Sequence, residues 1–404
     1  MPNFDTGNTG FMLLATSLVM LMTPGLAFFY GGLVSRKNVL SIMMQSFVSM
    51  GWTSVLWYLC GYSLCFSGGE GAVIGNLDMA FLQGITVNSA YTTSNIPLWV
   101  FCAYQMMFAI ITPALITGAF TNRVRFVPYL IFLTVWLLFV YFPFVHMVWG
   151  GGLLAKWGVL DFAGGIVVHA TAGMAALASV FFVGKRKVAE SGPHSIPLVA
   201  LGTGLLWFGW YGFNAGSELA VDGVTAQAFI NTDIAASFAG ITWLILAWIF
   251  EKKPKFVGLL TGSVAGLATI TPAAGFVTIH AAVVIGIVAG MVCYGAITLK
   301  SKLKWDDALD VWGVHGVGGI IGTILLGVFA SHAINPAVKT NGLFYGHASF
   351  FLTQTVAVIG TAAYAFIFSY GALWLINKIT PVGTTVGEEE QGLDESLHGE
   401  SAYL

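Results

Sequence analysis

The chain has 404 residues, of which 57% are hydrophobic and 8% are charged, and its formal net charge is −2. Soluble globular domains carry about 25% charged residues, so this composition excludes that class. The mean hydropathy of +0.83 is that of a polytopic membrane protein.

Eleven apolar runs alternate with short charged clusters along the chain. About 20 consecutive apolar residues are needed to cross the hydrocarbon of a bilayer. We predict an all-α protein whose transmembrane domain, residues 1–378, is followed by a polar tail, residues 379–404. The spans are predicted near residues 9–33, 39–66, 97–120, 126–149, 162–184, 196–217, 226–250, 257–274, 276–299, 309–330 and 348–377.

The basic residues predict the orientation of these spans. If the N-terminus is outside and the C-terminus inside, only Lys156 and Lys339 lie in outer loops. Cytoplasmic loops hold most of the Lys and Arg in membrane proteins, so this split favours N-out, C-in. The other fourteen of the 16 basic residues are then cytoplasmic: Arg36, Lys37, Arg123, Arg125, Lys185, Arg186, Lys187, Lys252, Lys253, Lys255, Lys300, Lys302, Lys304 and Lys378.

Two histidines, His169 and His315, lie inside predicted spans. An ionisable ring in the membrane is costly unless it faces a protein-lined cavity and has a partner, so it indicates a functional site. Asp161 precedes His169 in DFAGGIVVHATAG, and Asp310 precedes His315 in DVWGVHGVGG, with spacings of eight and five residues. A helix-capping role is the simpler reading of both aspartates.

This repeated pattern predicts two inverted five-helix repeats, at about residues 9–184 and 196–330, with a peripheral eleventh helix at about 348–377. Each repeat has an odd number of spans, so the second enters the membrane upside down. Transporters built in this way have their pathway at the interface of the two halves. The two histidines should therefore face each other.

Nothing in the sequence indicates an enzyme, a cofactor or a metal site. HExxH, Walker and GxSxG patterns are absent, so a protease or an ATP-driven pump finds no support. The four cysteines have no metal-ligand spacing and are expected to pack as small hydrophobic residues: Cys60, Cys65, Cys102 and Cys293.

Six ordered motifs cover nearly the whole chain: TPGLAFFYGGLVSRKN, FVHMVWGGGLLA, LDFAGGIVVHATAG, WFGWYGFNAGS, DDALDVWGVHGVGG and GLDESLHGESAY. In these motifs the chain resembles the Amt/Mep/Rh ammonium transporters, specifically the prokaryotic Amt branch. The resemblance implies eleven spans, a homotrimer with one pore per subunit in the plasma (cell inner) membrane, and conduction of ammonium or ammonia.

The same resemblance assigns site residues. It implies a twin-histidine pair of His169 and His315, and a gate of two stacked rings, Phe108 and Phe213. It implies an outer ammonium-recruitment site formed by Trp149, Ser217, Phe108 and Tyr104. Many relatives have Phe in place of Tyr104, so its hydroxyl raises the question of how dry this site is. It also implies structural support by Asp161, with Asp310 as the counterpart in the second copy.

Alternatives stay open at each position. By composition alone Phe108 and Phe213 would be packing residues, and a Trp such as Trp149 near the membrane boundary is commonly an interface anchor. A Rh-like neutral gas or water channel and an ammonium sensor are the competing functions. Ammonium or ammonia, membrane lipid and a second copy are expected partners, and no nucleic acid is expected. The ordered tail motif resembles a regulatory C-terminus at which PII-type signalling proteins dock on the cytoplasmic face, whereas a plain acidic tail would be solvated and disordered.

Overall fold

The structure is a computed structural model that describes residues 3–188 and 192–403. Residues 1–2, 189–191 and 404 lie outside the described part. The first residue of the predicted transmembrane domain and the last residue of the predicted tail are among them. Within the described ranges, ten helices are long and apolar enough to cross a membrane, and an eleventh apolar helix is shorter, with 15 residues. We number them α1 (Thr6–Leu33), α2 (Arg36–Phe66), α3 (Leu98–Phe120), α4 (Phe126–Lys156), α5 (Gly165–Val183), α6 (Ile196–Glu218), α7 (Gly223–Glu251), α8 (Phe256–Ile270), α9 (Ile279–Lys302), α10 (Trp312–Phe329) and α11 (Ala348–Ile379).

The remaining elements are short. A two-stranded antiparallel hairpin pairs β1 (Ala90–Tyr91) with β2 (Ile96–Pro97) between α2 and α3. Two further helices, α12 (Val386–Gln391) and α13 (Leu393–His398), follow α11 in the tail. The multi-pass, mostly helical architecture is confirmed, with ten or eleven membrane-length helices. The exact count of eleven and the N-out direction stay predictions.

Polar side chains begin several of the helices. Asp222 caps α7 by accepting from the backbone N–H groups of Val224 at 2.8 Å and Thr225 at 3.0 Å. Ser195 caps α6, and Thr278 caps α9. Each cap gives an acceptor to N–H groups that have no partner within the helix, which matters most where lipid surrounds the helix.

Glycine lets two pairs of helices approach closely. A Cβ atom on Gly202 of α6 would lie 2.3 Å from the Phe29 nitrogen of α1, and one on Gly173 of α5 would lie 2.1 Å from Gly316 of α10. Because membrane helices associate through close packing, small residues at such crossings are expected. The second crossing brings α5 and α10 together where they carry the two histidines.

Candidate conduction pathway

Two histidine rings meet near the centre of the molecule. His169 Nδ1 and His315 Nδ1 are 3.2 Å apart, and the rings are 5.2 Å apart with an interplanar angle of 17°. Their exposed fractions are 1% and 4%. A hydrogen bond between two nitrogens uses one hydrogen, so one ring donates from Nδ1 and the other accepts. The two histidine rings therefore face each other, as the repeated pattern predicts, at a distance at which their Nδ1 atoms share one hydrogen.

The second nitrogen of His169 is chemically available. His169 Nε2 is buried and has no hydrogen-bond partner among the described protein residues. His169 lines a narrow apolar cavity whose wall also includes Leu26, Ile111, Leu115, Val168, Leu206, Trp210, Phe213 and His315. A polar atom in such a wall is costly unless something in the cavity bonds to it. The cavity therefore offers a small polar molecule one hydrogen-bonding site in apolar surroundings.

Asp161 orients the helix that carries His169. Its two carboxylate oxygens accept four consecutive backbone N–H groups, those of Gly164 to Val167, at 2.7 to 3.1 Å. The first turns of α5, Gly165–Ala170, are a π-helix, a form that occurs frequently at functional sites. Asp161 is thus a helix cap, as the simpler reading of the sequence predicted, and it fixes the start of the segment that presents His169.

Asp307, rather than Asp310, has the corresponding contacts in α10. The Asp307 carboxylate accepts the N–H groups of Val311 at 3.1 Å and Trp312 at 2.8 Å, again at the start of a π-helix, Trp312–Gly316. Asp310, the residue that we had paired with Asp161, bonds to the Lys300 ammonium instead. Asp161 and Asp307 each precede their histidine by eight residues, so the spacing is equal in the two copies.

Stacked aromatic rings lead to the histidines from the end of the molecule that is predicted to face outward. Phe108 of α3 and Phe213 of α6 lie 4.2 Å apart at 29°, and Phe213 lies 6.1 Å from His169 at 30°. Trp210 stacks on the same imidazole at 5.5 Å and 22°. Phe108 and Phe213 are each 1% exposed. The two phenyl rings therefore lie between the histidine cavity and a second pocket, called the outer pocket because it is at the end predicted to face outward.

That outer pocket has a volume of about 260 Å³. Trp149 and Phe108 both line it, and their rings meet edge to face at 5.9 Å and 87°. Ser217 Oγ donates to the Phe213 carbonyl at 2.9 Å. Because a hydroxyl has one hydrogen, Ser217 presents an acceptor to the pocket. The lining residues are Phe66, Tyr91, Phe101, Gln105, Phe108, Val148, Trp149, Phe162, Ser217 and Leu219.

Trp149 is held toward this pocket. Its indole N–H donates to the Asp161 carbonyl at 2.8 Å, so the ring is fixed by the same loop that caps α5. An interface anchor directs its polar edge to the lipid headgroups. This contact directs the edge into the protein and supports the pocket reading of Trp149.

Tyr104 lies behind Phe108 instead of lining the pocket. Its hydroxyl is 2.9 Å from the carbonyl oxygens of Gly212 and Phe213, and 3.2 Å from Ser217 Oγ. Its side chain is 1% exposed. The hydroxyl thus binds the backbone of α6 beside the Phe108 and Phe213 rings, and Tyr104 does not line the pocket. Tyr104 positions Phe213 and Ser217.

On the other side of the histidines a larger cavity of about 630 Å³ opens toward the basic loops. His315 and Asp307 belong to its wall, together with Tyr30, Lys185, Arg186, Lys300, Lys304, Asp306 and Asp310. Asp306 pairs with Arg186 at 2.6 Å and lies 3.6 Å from Arg123. Burial raises the pKa of the Asp306 carboxyl, but the two guanidinium groups outweigh burial and hold it below its usual value. The neighbouring residues Asp306 and Asp307 therefore link the loops to the start of α10.

The tail packs against these loops. Glu389 accepts from the backbone N–H groups of Lys187 at 2.8 Å and Val188 at 3.1 Å, and Asp394 accepts from those of Leu40 at 3.0 Å and Ser41 at 2.7 Å. Glu388 pairs with Arg125 at 3.0 Å. Burial raises the pKa of the Glu388 carboxyl, but the hydrogen bonds from Thr385 and Arg125 together with the Arg125 charge outweigh burial, so the pKa lies below its usual value. The GLDESLHGESAY segment is ordered on the protein surface.

Several functional-site residues were missed by sequence reasoning. Gln105 and Leu219 line the outer pocket, Trp210 stacks on His169, and Asp307 caps α10. Only Asp307 had a usable signal, because its spacing to His315 equals that of Asp161 to His169. Gln105, Leu219 and Trp210 belong to residue types that are common in membrane proteins. Their places in the site follow from helix packing, which the sequence pattern does not give.

Comparisons with known proteins cover nearly the whole chain. Residues 10–403 match the sequence model of the Ammonium Transporter Family. The chain is 46% identical over 399 residues to an ammonium transporter of Bacillus subtilis (strain 168), covering 98% of each chain. Its fold is similar to the crystal structure of Candida albicans Mep2, with a TM-score of 0.89, 35% identity, and coverage of 95% of this chain and 88% of that one. It is also similar to a sensor Amt protein, with a TM-score of 0.87, 30% identity, and coverage of 96% and 97%. By the match along nearly its whole length, this chain belongs to the ammonium transporter family.

Proposed function

We propose that this protein transports ammonium by recruiting NH4+ in the outer pocket, removing a proton, and conducting ammonia, with or without that proton, past His169 and His315. The observation that carries the proposal is the 3.2 Å contact between the two Nδ1 atoms at the inner end of the aromatic column. The relatives that this chain resembles are named transporters, which favours transport over catalysis.

Recruitment uses aromatic faces and one oxygen. A cation over the face of Trp or Phe gains roughly 0.5–2 kcal/mol from the ring quadrupole. Trp149 and Phe108 supply two such rings, and Ser217 supplies a hydrogen-bond acceptor for an N–H of the ion. These contacts concentrate NH4+ at the rim, but they are far too weak to carry a charge across the dry part of the path.

Deprotonation solves the problem of dehydration. Moving a bare ion into a medium of low dielectric costs tens of kcal/mol, whereas neutral ammonia has little desolvation cost. The stacked pair Phe108 and Phe213 favours this outcome because a hydrated ion does not fit between rings 4.2 Å apart. Potassium has no proton to give, so the same barrier rejects it.

The histidine pair then handles ammonia and the proton together. Ammonia donates an N–H to an imidazole nitrogen such as His169 Nε2, which has no protein partner in the described ranges. The Nδ1 contact offers a route for a proton from one ring to the other. Coupled imidazoles titrate as a unit, and burial disfavours a pair in which both rings are charged. The pair therefore carries at most one excess proton during transport.

The assembly proposed for this function is a homotrimer in the plasma membrane, with one pore per subunit, eleven spans and an N-out, C-in orientation. Two inverted repeats, 9–184 and 196–330, explain why α1 packs on α6 and α5 on α10, five helices apart in each case. The equal spacing of Asp161 and Asp307 from their histidines supports the same symmetry. The tail on the cytoplasmic loops would be the regulatory element and the docking region for a PII-type signalling protein.

A sensor function is the second candidate, because the fold is similar to that of a sensor Amt protein at 30% identity. A sensor would bind ammonium with little flux. A Rh-like channel for neutral gas is the third, but the aromatic outer pocket would then serve no purpose, since a neutral gas gains nothing from cation–π contacts.

The purified protein in liposomes, pulsed with ammonium, separates these functions. We expect an ammonium-dependent current or internal pH change that protein-free liposomes lack and that an equal potassium pulse does not produce. Saturable ammonium binding without flux would identify a sensor and overturn the proposal. Flux that follows only the concentration of neutral ammonia would identify a gas channel and also overturn it.

A further inference from the structure

A third buried histidine, His146 of α4, has an acceptor at each nitrogen of its ring. Its side chain is 0% exposed. Its Nδ1 lies 2.9 Å from the Cys65 carbonyl oxygen, and its Nε2 lies 2.9 Å from the Gly71 carbonyl oxygen. Backbone carbonyls accept hydrogen bonds and do not donate them. The ring therefore needs a hydrogen on each nitrogen to bond to both.

A neutral imidazole does not meet this requirement. It carries one N–H, so its other nitrogen would direct a lone pair at a carbonyl oxygen 2.9 Å away. The ring is buried from bulk water, and a polar atom buried without a partner is costly. The imidazolium form, in which both nitrogens donate, satisfies the ring and both carbonyls at once.

The surroundings of the ring also favour a positive charge. Cys65 is the last residue but one of α2, which ends at Phe66, and the last carbonyl groups of a helix carry a partial negative charge. A cationic side chain is stabilised at such a helix end. In the part of the chain that the structure describes, His146 has no ion pair, and Glu70, the acidic residue next to Gly71, is exposed. The two carbonyl dipoles are therefore the groups that offset the charge.

The ring joins two segments that carry aromatic side chains of the outer pocket. Phe66 is the last residue of α2, Trp149 lies three residues after His146, and both aromatic side chains line that pocket. Near the ring, the Leu153 N–H donates to the Ala72 carbonyl at 2.7 Å and joins the same two segments again. The position of one pocket wall relative to the other therefore depends on this junction.

Glycine makes the close junction possible. The His146 backbone carbonyl accepts from the N–H groups of Gly150 and Gly152, each at 3.0 Å. A Cβ atom on Gly150 would lie 2.2 Å from the Cys65 carbonyl oxygen and 2.7 Å from His146 Nδ1. The turn after Trp149 thus folds back on the residue whose ring holds the end of α2.

We propose that His146 is an imidazolium that holds the end of α2 against α4 and so positions Trp149 in the outer pocket for the recruitment of ammonium. His146 does not itself line the pocket, so it is a positioning residue that acts through Trp149. The inference rests on the proposed transport function and deepens it, because it adds a residue that sets the apparent affinity for ammonium.

The charge and the bonds of His146 affect ammonium in opposite directions. An imidazolium repels a second cation, so removal of the charge alone would strengthen ammonium binding. Removal of the two bonds releases the end of α2 from α4, so Trp149 would be held less firmly beside Phe108 and binding would weaken. The carbonyl dipoles at the ring reduce the repulsion, so we expect the loss of positioning to be the larger effect.

Magnetic resonance of the unmodified protein in lipid bilayers tests the number of hydrogens on the ring. His146 is followed by Met147, and no other histidine of the chain precedes a methionine. Isotopic labels in histidine and in the methionine nitrogen therefore select this residue without any substitution. We expect both ring nitrogens to carry a hydrogen at the pH of the transport assay. One bare nitrogen, which identifies a neutral ring, would overturn the inference.

Initial rates of ammonium uptake test the positioning role. His146→Phe keeps a planar ring and removes both donors, whereas His146→Gln keeps a neutral N–H donor. We expect the Phe variant to raise the KM for ammonium about fivefold, with a smaller change in the maximal rate, and the Gln variant to raise it less. His332→Phe is the matched control, because it removes a ring bond to the Val338 carbonyl at 2.8 Å in another predicted outer loop, and it should leave the KM unchanged.

The opposite results are equally specific. An unchanged or lower KM in a folded His146→Phe protein would overturn the positioning role. A lower maximal rate with an unchanged KM would do the same, since a purely structural residue has that effect. If the Phe variant does not fold, the Gln variant is judged by the same criterion. The resonance measurement needs no ammonium flux, so failure of the transport proposal stays separate from failure of this inference.

Discussion

The Asp307 carboxylate caps the helix that carries His315, eight residues further along the chain, and accepts the N–H groups of Val311 at 3.1 Å and Trp312 at 2.8 Å. Asp307 and Val311 are each 1% exposed, so the bond between them is buried. The cap therefore fixes both the start of α10 and the direction from which His315 approaches His169.

Replacing this cap should impair transport more than replacing its neighbour. Asp307→Asn leaves one acceptor oxygen where two N–H groups need acceptors, and a buried unsatisfied donor costs about 1–3 kcal/mol. Asp310→Asn is the matched control, because Asp310 bonds to Lys300, which keeps its second bond to the Asp307 carbonyl at 2.9 Å. We expect slower ammonium uptake and a lower Tm for the Asp307 variant. Equal losses in the two variants would contradict the assignment of the cap to Asp307.

The equal spacing could have been found in the sequence, and the reason that it was missed is physical. DDALDVWGVHGVGG has three aspartates before His315, and a sequence does not say which one reaches the helix start. The backbone conformation distinguishes them. Asp310 has a positive φ of 60°, and the N–H groups of Val311 and Trp312 bond to Asp307 and not to Asp310. The paired histidines, by contrast, followed from two ionisable rings in apolar spans.

Trp149→Leu should weaken the apparent affinity for ammonium about tenfold, or roughly 1.4 kcal/mol, while the protein stays folded. The substitution removes the aromatic face beside Phe108 and the bond to the Asp161 carbonyl. Trp149→Phe keeps an aromatic face and loses only that bond, so its apparent affinity for ammonium should lie between those of the unmodified protein and the Leu variant. The affinity of each protein is measured from the dependence of its initial uptake rate on ammonium concentration. An unchanged affinity in the Leu variant would return Trp149 to an anchoring role.

The outer site also shows the limit of reading single residues. Phe108 and Phe213 are two of 31 phenylalanines, and only the family motif distinguished them from packing residues. The hydroxyl of Tyr104 was expected to bear on the wetness of the pocket, but it bonds to α6. Its direction depends on α6 carbonyl groups that are distant in the sequence, so no local pattern encodes it.

Glu389→Gln should loosen the tail, and the adjacent Glu390→Gln should not. The Glu389 carboxylate is 6% exposed and accepts two backbone N–H groups of the loop that also carries Arg186, whereas the Glu390 side chain is exposed. Hydrogen exchange of residues 386–403 should rise in the Glu389 variant alone.

Deleting the residues after Gly392 should leave assembly intact, lower activity and abolish binding of a PII-type protein. Full regulation of the truncated protein would show that the packed tail has no such role.

The central claim is that His169 and His315 act as one proton-handling pair. His169→Ala with His315→Ala removes both rings from a cavity wall, so the protein should fold, and the exposed His280→Ala is the matched control. Single replacements by Glu, which keep a titratable group, should retain more activity than single replacements by Ala.

The most direct test is to record ammonium flux, internal pH and potassium flux together in liposomes that contain the double-Ala protein. We expect the ammonium-coupled movement of protons to vanish or the discrimination against potassium to be lost, while the His280 variant behaves as the unmodified protein does. A double-Ala protein that moved ammonium selectively, with an unaltered number of protons per ammonium, would contradict the account, because the ion would then cross by a route that needs neither histidine.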